Sequence, residues 1–277
     1  MKKYLYHYTT LGCLEKIFTD PEGTYIDLKL KDYHFLNDGY EGKWLVRFME
    51  TCKDAIVGQF KLNERLACEK AIKDFVECEC YRMLLKEQND KHYSFSMSEL
   101  KDSMLFWRQD YAKDNGIALC TEKSDFEKKS KLTVEQVRYL GAETLNETLP
   151  DFVFAVEHDA QYIKSRSDLR SDITDMLEGA KSLANTDFLR VKNITWEAEK
   201  EWRIIITQKF EGKKNLLKME EIEIDEKSKY IPRYRMRIEN PFNEIILGPT
   251  FSNYYVEAVS EWFDRKHYKI KVSKSLG

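Results

Sequence analysis

Between Trp196 and Thr207 the chain alternates charged and apolar residues with a period of two. Glu197, Glu199, Glu201 and Arg203 hold one parity, while Trp202, Ile204 and Ile206 hold the other. Alternate side chains of an extended chain share a face, so this pattern predicts a two-faced strand with a β-branched core side. Carboxylates beside such a strand sit where burial and neighbouring charge tune their proton affinity, as general-base or electrostatic chemistry requires. The alternative reading is a charged edge facing solvent, the commoner fate of these residue types.

Other segments carry the same period. Tyr4 to Thr9 places Tyr4, Tyr6 and Tyr8 opposite Leu5, His7 and Thr9. Tyr25 to Leu30 sets Ile26, Leu28 and Leu30 against Asp27 and Lys29, and His92 to Ser98 sets Tyr93, Phe95 and Met97 against Ser94, Ser96 and Ser98. Further strands are predicted at 116–120, 203–207, 218–224, 230–238, 244–247 and 269–272. Helical spacing predicts a short helix after Thr10, a pair over 39–60 and 64–86, one over 103–111, and one over 252–267 with Tyr255, Ala258, Val259, Trp262 and Phe263 inward. Residues 143–192 read as charged and mostly helical. Strands and helices interleave without regular βαβ units, so the fold class is α+β with a mixed, mostly antiparallel sheet. One domain over 1–277 is expected, with a helical hairpin inserted at 39–88.

Composition narrows function. A net charge of -3 supplies no global field for DNA or anionic membrane. Six cysteines without a CxxC pair argue for reduced thiols, no zinc site and a cytoplasmic location. No apolar run approaches membrane-spanning length and no signal peptide is evident. Neither GxGxxG nor a Walker lysine motif occurs, which disfavours Rossmann and P-loop sites.

Leu5-Tyr6-His7-Tyr8-Thr9-Thr10, followed by Leu14-Glu15-Lys16-Ile17, resembles the opening strand and helix of ADP-ribosyltransferases of the His-Tyr-Glu type, including DarT-like toxins. The chain also resembles the bacterial domain-of-unknown-function 2971 family. That likeness rests on Phe35-Leu36-Asn37-Asp38 with Glu41, on Phe95-Ser96 with Met104, Trp107 and Tyr111, on Trp196 with Glu199 to Arg203, and on Ile245 to Pro249. The resemblance implies a sheet core of ADP-ribosyltransferase type, with NAD as substrate and a protein or nucleic-acid acceptor. It also implies a toxin or antiviral defence role, with an antitoxin or defence-system partner. Glu199-Lys200-Glu201 matches the family's Glu-x-Glu pair, which implies Glu201 as catalyst and Glu199 as its helper. His7 would hold the adenosine ribose, with the first strand central in a sheet that also holds the strand beginning at Arg203, so that His7 and Glu201 line one cleft. Tyr8, Thr9, Ser96, Trp107, Tyr111 and Arg203 would complete the NAD site, with Tyr111 and Tyr93 both candidates for the family's central tyrosine.

The chemistry suits those residue types. Breaking the nicotinamide bond leaves an oxocarbenium-like sugar, which a carboxylate stabilises and whose nucleophile it can deprotonate. Each residue also has a plainer reading: a hydrogen-bonded structural histidine, a wet serine face on an edge strand, and core packing for Trp107 and Tyr111. Two other functional classes stay open. Asp38, Glu199 and Lys200 fit loosely the acidic-plus-lysine pattern of metal-dependent nucleases. A non-catalytic nucleotide-sensing module would bind the ligand without turnover. Finally, Arg233, Arg235 and Arg237 alternate along one strand, either as a solvated edge or as a contact for an acidic partner or a phosphate backbone.

Overall fold

The computed structural model describes residues 2–32, 53–54, 57–58, 61–85, 91–108, 115–140, 190–208, 218–224 and 230–276. The first strand, β1 (Tyr4–Thr10), runs into a 3₁₀ turn and the one-turn helix α1 (Leu14–Ile17). Then come β2 (Tyr25–Asp32), α2 (Leu62–Leu85), β3 (Lys91–Ser98), α3 (Met104–Arg108), β4 (Gly116–Glu122) and α4 (Lys123–Ser130). The short strands β5 (Glu135–Gln136), β6 (Arg138–Leu140) and β7 (Val191–Asn193) precede β8 (Glu201–Gln208). The chain finishes with β9 (Lys218–Ile224), β10 (Tyr230–Glu239), β11 (Glu244–Leu247), α5 (Asn253–Arg265) and β12 (Lys271–Lys274).

Ten of these strands form one sheet, in the order β12-β11-β4-β1-β3-β2-β10-β9, with β8 on β3 and β5 on β8. Among the described residues only β11–β12 pair in parallel within it; β6 and β7 make a separate parallel pair. The fold is thus α+β with a mixed, mostly antiparallel sheet, and β1 lies inside it. The helical hairpin cannot be set beside this, because most of 39–60 lies outside the described residues. Its second helix is α2, which buries Cys68, Ala71, Ile72 and Phe75 at helical spacing.

The sheet forks at β3. Along one edge β3 pairs with β8 over its whole length, from Lys91↔Gln208 to Ser98↔Glu201. Along the other edge β1 meets it at Tyr6↔Ser98, and β2 meets it at Lys31↔Ser94 and Asp32↔Tyr93. Two strands therefore share one edge at opposite ends of β3.

Period-two patterning sorts the two faces. Leu5, Phe95, Met97, Ile117, Leu119, Trp202, Ile204, Ile245 and Leu247 line the larger core. Helices α1, α4 and α5 cover it with Leu14, Ile17, Phe126, Val259 and Phe263. The opposite face carries Tyr6, Tyr8, Ala118, Cys120 and Ile246 under Phe106 and Trp107 of α3. Within α5 Val259 and Phe263 are buried and Val256 and Trp262 pack partly buried against the same core, whereas Tyr254 and Tyr255 are exposed. Tyr255, expected inward, sits in the first turn, where it overhangs the core's rim beside Phe251.

Two edge assignments from the sequence are corrected by the sheet order. The strand β10 lies between β2 and β9 as far as Arg235, which is therefore not on a solvated edge, whereas Arg237 lies beyond the β9 ladder and is exposed. Arg235 pairs with Asp27 at 3.4 Å and Arg237 with Asp20 at 3.1 Å, across the β2–β10 ladder. The strand β3 is also interior, and Ser94 and Ser98 are buried rather than wet. Asp20 to Gly23 forms a turn, closed by the Gly23 N–H to the Asp20 carbonyl at 3.2 Å, and Gly23 is needed there. Its φ is +67°, and a Cβ would stand 2.3 Å from the His267 carbonyl oxygen.

Candidate functional site: a buried carboxylate pair at the start of β8

The strand pattern read from 196–207 begins later than its parity suggests. Ile194–Glu199 is a 3₁₀ turn, capped by the Asn193 side chain accepting from the Thr195 N–H at 3.0 Å. Lys200 ends it in the left-handed region at φ 46°. Glu197 is consequently outside the strand and makes an i,i+3 pair with Lys200 at 3.6 Å, near the surface. Glu199 and Glu201 are both buried.

Glu201 opens β8 opposite Ser98, and Arg203 lies opposite Ser96. All four share the face of Tyr6 and Tyr8. Arg203 donates Nε–H to Glu201 Oε1 at 2.6 Å and Nη2–H to Oε2 at 3.0 Å, a two-pronged contact that a planar guanidinium is shaped to make. Lys192, from β7, places its Nζ 2.6 Å from Glu199 Oε2 and 3.0 Å from Glu201 Oε2. The Ser96 hydroxyl also bonds the Glu201 carboxylate. Beneath it, the Glu201 N–H donates to the Tyr139 hydroxyl at 2.7 Å, and the Ser98 hydroxyl donates to the Glu199 carbonyl at 2.6 Å.

Two cations thus face two carboxylates, and all four side chains are at least nine-tenths buried. Burial alone would raise the Glu201 pKa. The Arg203 guanidinium, the Lys192 ammonium and the bonds from Arg203 and Ser96 overcome this and bring it down to about 2. Glu199 moves the other way. Burial pushes it up, Lys192 opposes that shift, and the Glu201 charge adds to it. Its Oε1 has no hydrogen-bond partner.

His7 lies on the other face of the β1–β3 ladder, stacked on Phe95 with ring centroids 4.2 Å apart. It does not stand across a common wall from Glu201, as the sequence reading expected. Ser96 joins the two instead. Where β1 parts from β3, His7 Nδ1 is 2.8 Å from the Ser96 carbonyl oxygen, and that same residue's hydroxyl meets Glu201. A carbonyl only accepts, so Nδ1 carries the proton. Desolvation outweighs this bond and lowers the His7 pKa to about 4, which leaves a neutral ring with an Nε2 lone pair.

The other expected NAD-site residues are placed apart from this set. Tyr8 donates its hydroxyl to the Leu100 carbonyl at 2.7 Å and accepts from the Ser103 N–H at 3.1 Å, which pins the loop before α3. Its ring stacks on Phe106 at 4.3 Å and meets Trp107 edge-on at 5.0 Å. Trp107 is buried and donates Nε1–H to Asp102 at 2.8 Å. The Thr9 hydroxyl serves the Cys13 thiol. Burial works against ionisation of that thiol, yet bonds from Thr10 and Thr9 hold its pKa below the ordinary value. Tyr111, Asn37, Asp38 and Glu41 lie outside the described residues. Tyr93 is fully buried against Tyr234, at a centroid distance of 3.9 Å. Among the described residues no group of three or more His, Cys, Asp or Glu side chains could hold a metal ion. No described helix is long and apolar enough to cross a membrane.

Lys192 and Tyr139 escaped the sequence reading. Lys192 sits seven residues before Glu199 in a stretch dense with charge, where spacing singles out no one lysine. The available signal was the short Val191-Lys192-Asn193 run, which ends on the asparagine cap.

Residues 106–204 match the family model described as a protein of unknown function, DUF2971. The matched part is a little over a third of the chain; it includes Lys192, Glu199, Glu201 and Arg203, and excludes His7 and Ser96. No curated protein and no solved structure matches the chain.

Proposed function

We propose that the Glu199–Glu201 pair is a chemical centre that breaks the nicotinamide glycosidic bond of NAD, with the ADP-ribosyl group passing to a protein or nucleic-acid acceptor or to water. The observation that carries this reading is the linkage through Ser96. One serine touches both the neutral histidine of β1 and the ionised carboxylate at the head of β8. Nicotinamide leaves with the bonding electron pair, and the sugar becomes oxocarbenium-like. The Glu201 charge stabilises that cation, and the acceptor hydroxyl, amine or water adds to the sugar carbon as it gives up its proton to a carboxylate of the pair. His7 Nε2, held as an acceptor by the Nδ1–H bond to Ser96, suits a ribose hydroxyl. Arg203 and Lys192 already occupy the Glu201 oxygens, so the reaction requires at least one of these cations to turn away towards the phosphates. Action in the cytoplasm as a toxin or defence effector belongs to the same reading.

A second reading has its own supporting observation. Both Glu201 oxygens are engaged and the residue is 5% exposed, as in an ion cluster that holds a fold together. A non-catalytic nucleotide-binding module would look the same. NAD labelled in its adenine half, incubated with the purified chain and a cell lysate, separates the two. Transfer of label to macromolecules, unaffected by EDTA, supports the enzyme. Saturable NAD binding with no transfer and no free ADP-ribose supports the module. Activity abolished by EDTA and restored by Mg²⁺ moves the reading to a metal-dependent nuclease.

His7→Ala gives a further expected result. Loss of one hydrogen bond to ligand corresponds to a KM rise of about ten-fold, with kcat nearly unchanged. A kcat that falls while KM holds would place His7 at the bond being broken instead.

A further inference from the structure

The small β6–β7 pair clasps the carboxylates from outside the main sheet. Its first strand follows β5, which runs along the start of β8 through Glu135↔Arg203 and Gln136↔Trp202. The Val137 N–H then donates to the Glu201 carbonyl at 2.9 Å, and β6 delivers Tyr139 to the Glu201 N–H. The partner strand β7 pairs in register, Tyr139↔Lys192, and delivers the ammonium. Arg190, just before β7, pairs with Glu135 of β5 and closes the arrangement. The 3₁₀ turn and the left-handed Lys200 fold the chain back, so that Lys192 reaches Glu199 seven residues on.

We propose that Lys192 is a positioning residue for the Glu199–Glu201 pair: its single ammonium, shared between the two carboxylates, favours the charged form of Glu199 and fixes Glu201 for its role. The inference rests on the reading given above for what Glu201 does, but its charge-holding half stands on geometry alone. Arg203 grips Glu201 and acts on Glu199 through its charge, whereas Lys192 lies 2.6 Å from Glu199. Among the described residues, the groups facing Glu199 are Lys192 of β7, Tyr139 of β6, and Glu201 and Arg203 of β8; the Ser98 hydroxyl of β3 holds its carbonyl. Of the two cations, Lys192 is therefore the direct counter-ion of Glu199. The Trp196 ring, 5.0 Å from Nζ, lies over the same ammonium. Removing it leaves two buried carboxylates beside one guanidinium, and the carboxyl without the two-pronged partner is the one that takes a proton.

The test is a carbon-13 NMR titration of the Glu199 and Glu201 carboxyl groups in the full chain, compared with Lys192→Met. Glu199 is expected to titrate higher in the variant by about one pH unit or more, since a contacting opposite charge holds a carboxylate down by that much. Glu201 is expected to move less, because Arg203 remains. Lys192→Arg should bring the Glu199 midpoint back towards wild type. If Lys192→Met does not fold, Lys192→Gln serves for the same titration. An unchanged Glu199 midpoint in a folded neutral variant, or no recovery in Lys192→Arg, overturns the proposal. In parallel, the acid limb of the NAD turnover profile should move with the Glu199 midpoint. If the wild-type chain turns over no NAD, the enzyme reading fails, and the titration still decides whether Lys192 holds the charge of Glu199.

Discussion

Arg203→Met is expected to destabilise the fold by about 3–5 kcal/mol, the usual cost of removing one partner from a buried ion pair. Arg203 is 2% exposed and Glu201 5% exposed, so water does not replace the lost guanidinium. The Ser96 hydroxyl and Lys192 remain, and neither supplies the parallel pair of N–H donors. Urea denaturation of the two proteins measures the difference, with Glu197→Gln as control. Glu197 pairs with Lys200 at 3.6 Å near the surface, and its loss should cost under about 1 kcal/mol. A loss at Arg203 no larger than at Glu197 would contradict the description of the cluster. The acid side gives a second readout. The Glu201 pKa is lowered on folding, so its contribution is present above its unfolded value of 4.5 and is lost as pH falls through about 2. Glu199, raised on folding, contributes in the opposite sense: stability falls as pH rises from 4.5 through its folded value. In Arg203→Met the loss of stability between pH 4.5 and 2 should shrink.

Glu201→Gln is expected to lower nicotinamide release from NAD by about 10²–10³, the scale for removing one electrostatic group that stabilises a transition state. The amide keeps the shape and one hydrogen-bond acceptor for Arg203, but it deletes the charge. It also leaves Lys192 and Arg203 with Glu199 as the remaining carboxylate of the set, so some stability is lost with the activity. Release is therefore compared at a temperature where near-ultraviolet circular dichroism shows both proteins folded. A folded Glu201→Gln protein with wild-type release would remove Glu201 from the chemistry.

Much of the sheet was legible because period-two patterning is local. Tyr4–Thr10, Lys91–Ser98 and Glu201–Gln208 alternate cleanly, and their faces are those the alternation predicts. The limit of that rule shows at Glu197 and Glu199, whose parity matches β8 although a 3₁₀ turn carries them. An asparagine cap and a left-handed lysine outweigh alternation there. Sheet order is not local, so the interior positions of β3 and β10 could not be read, and their serines and arginines were open to the edge reading. The Glu-x-Glu spacing marked Glu199 and Glu201 correctly as neighbours of a core strand. It could not name Lys192 or Tyr139, which arrive from a strand pair that no sequence period announces. Tyr8 and Trp107 were legible as aromatic residues, but α3 folding back on β1 turns both into packing. His7 was expected to face Glu201. The fork at β3 instead turns its ring onto Phe95 and its Nδ1–H onto Ser96.

Nicotinamide release from NAD by the purified wild-type chain, followed over time in EDTA, tests the central claim most directly. Steady release that scales with protein concentration and does not depend on metal is the expected result. NAD that stays intact, with protein folded and with a lysate present to supply acceptors, would contradict it and leave the buried cluster as a part of the fold alone.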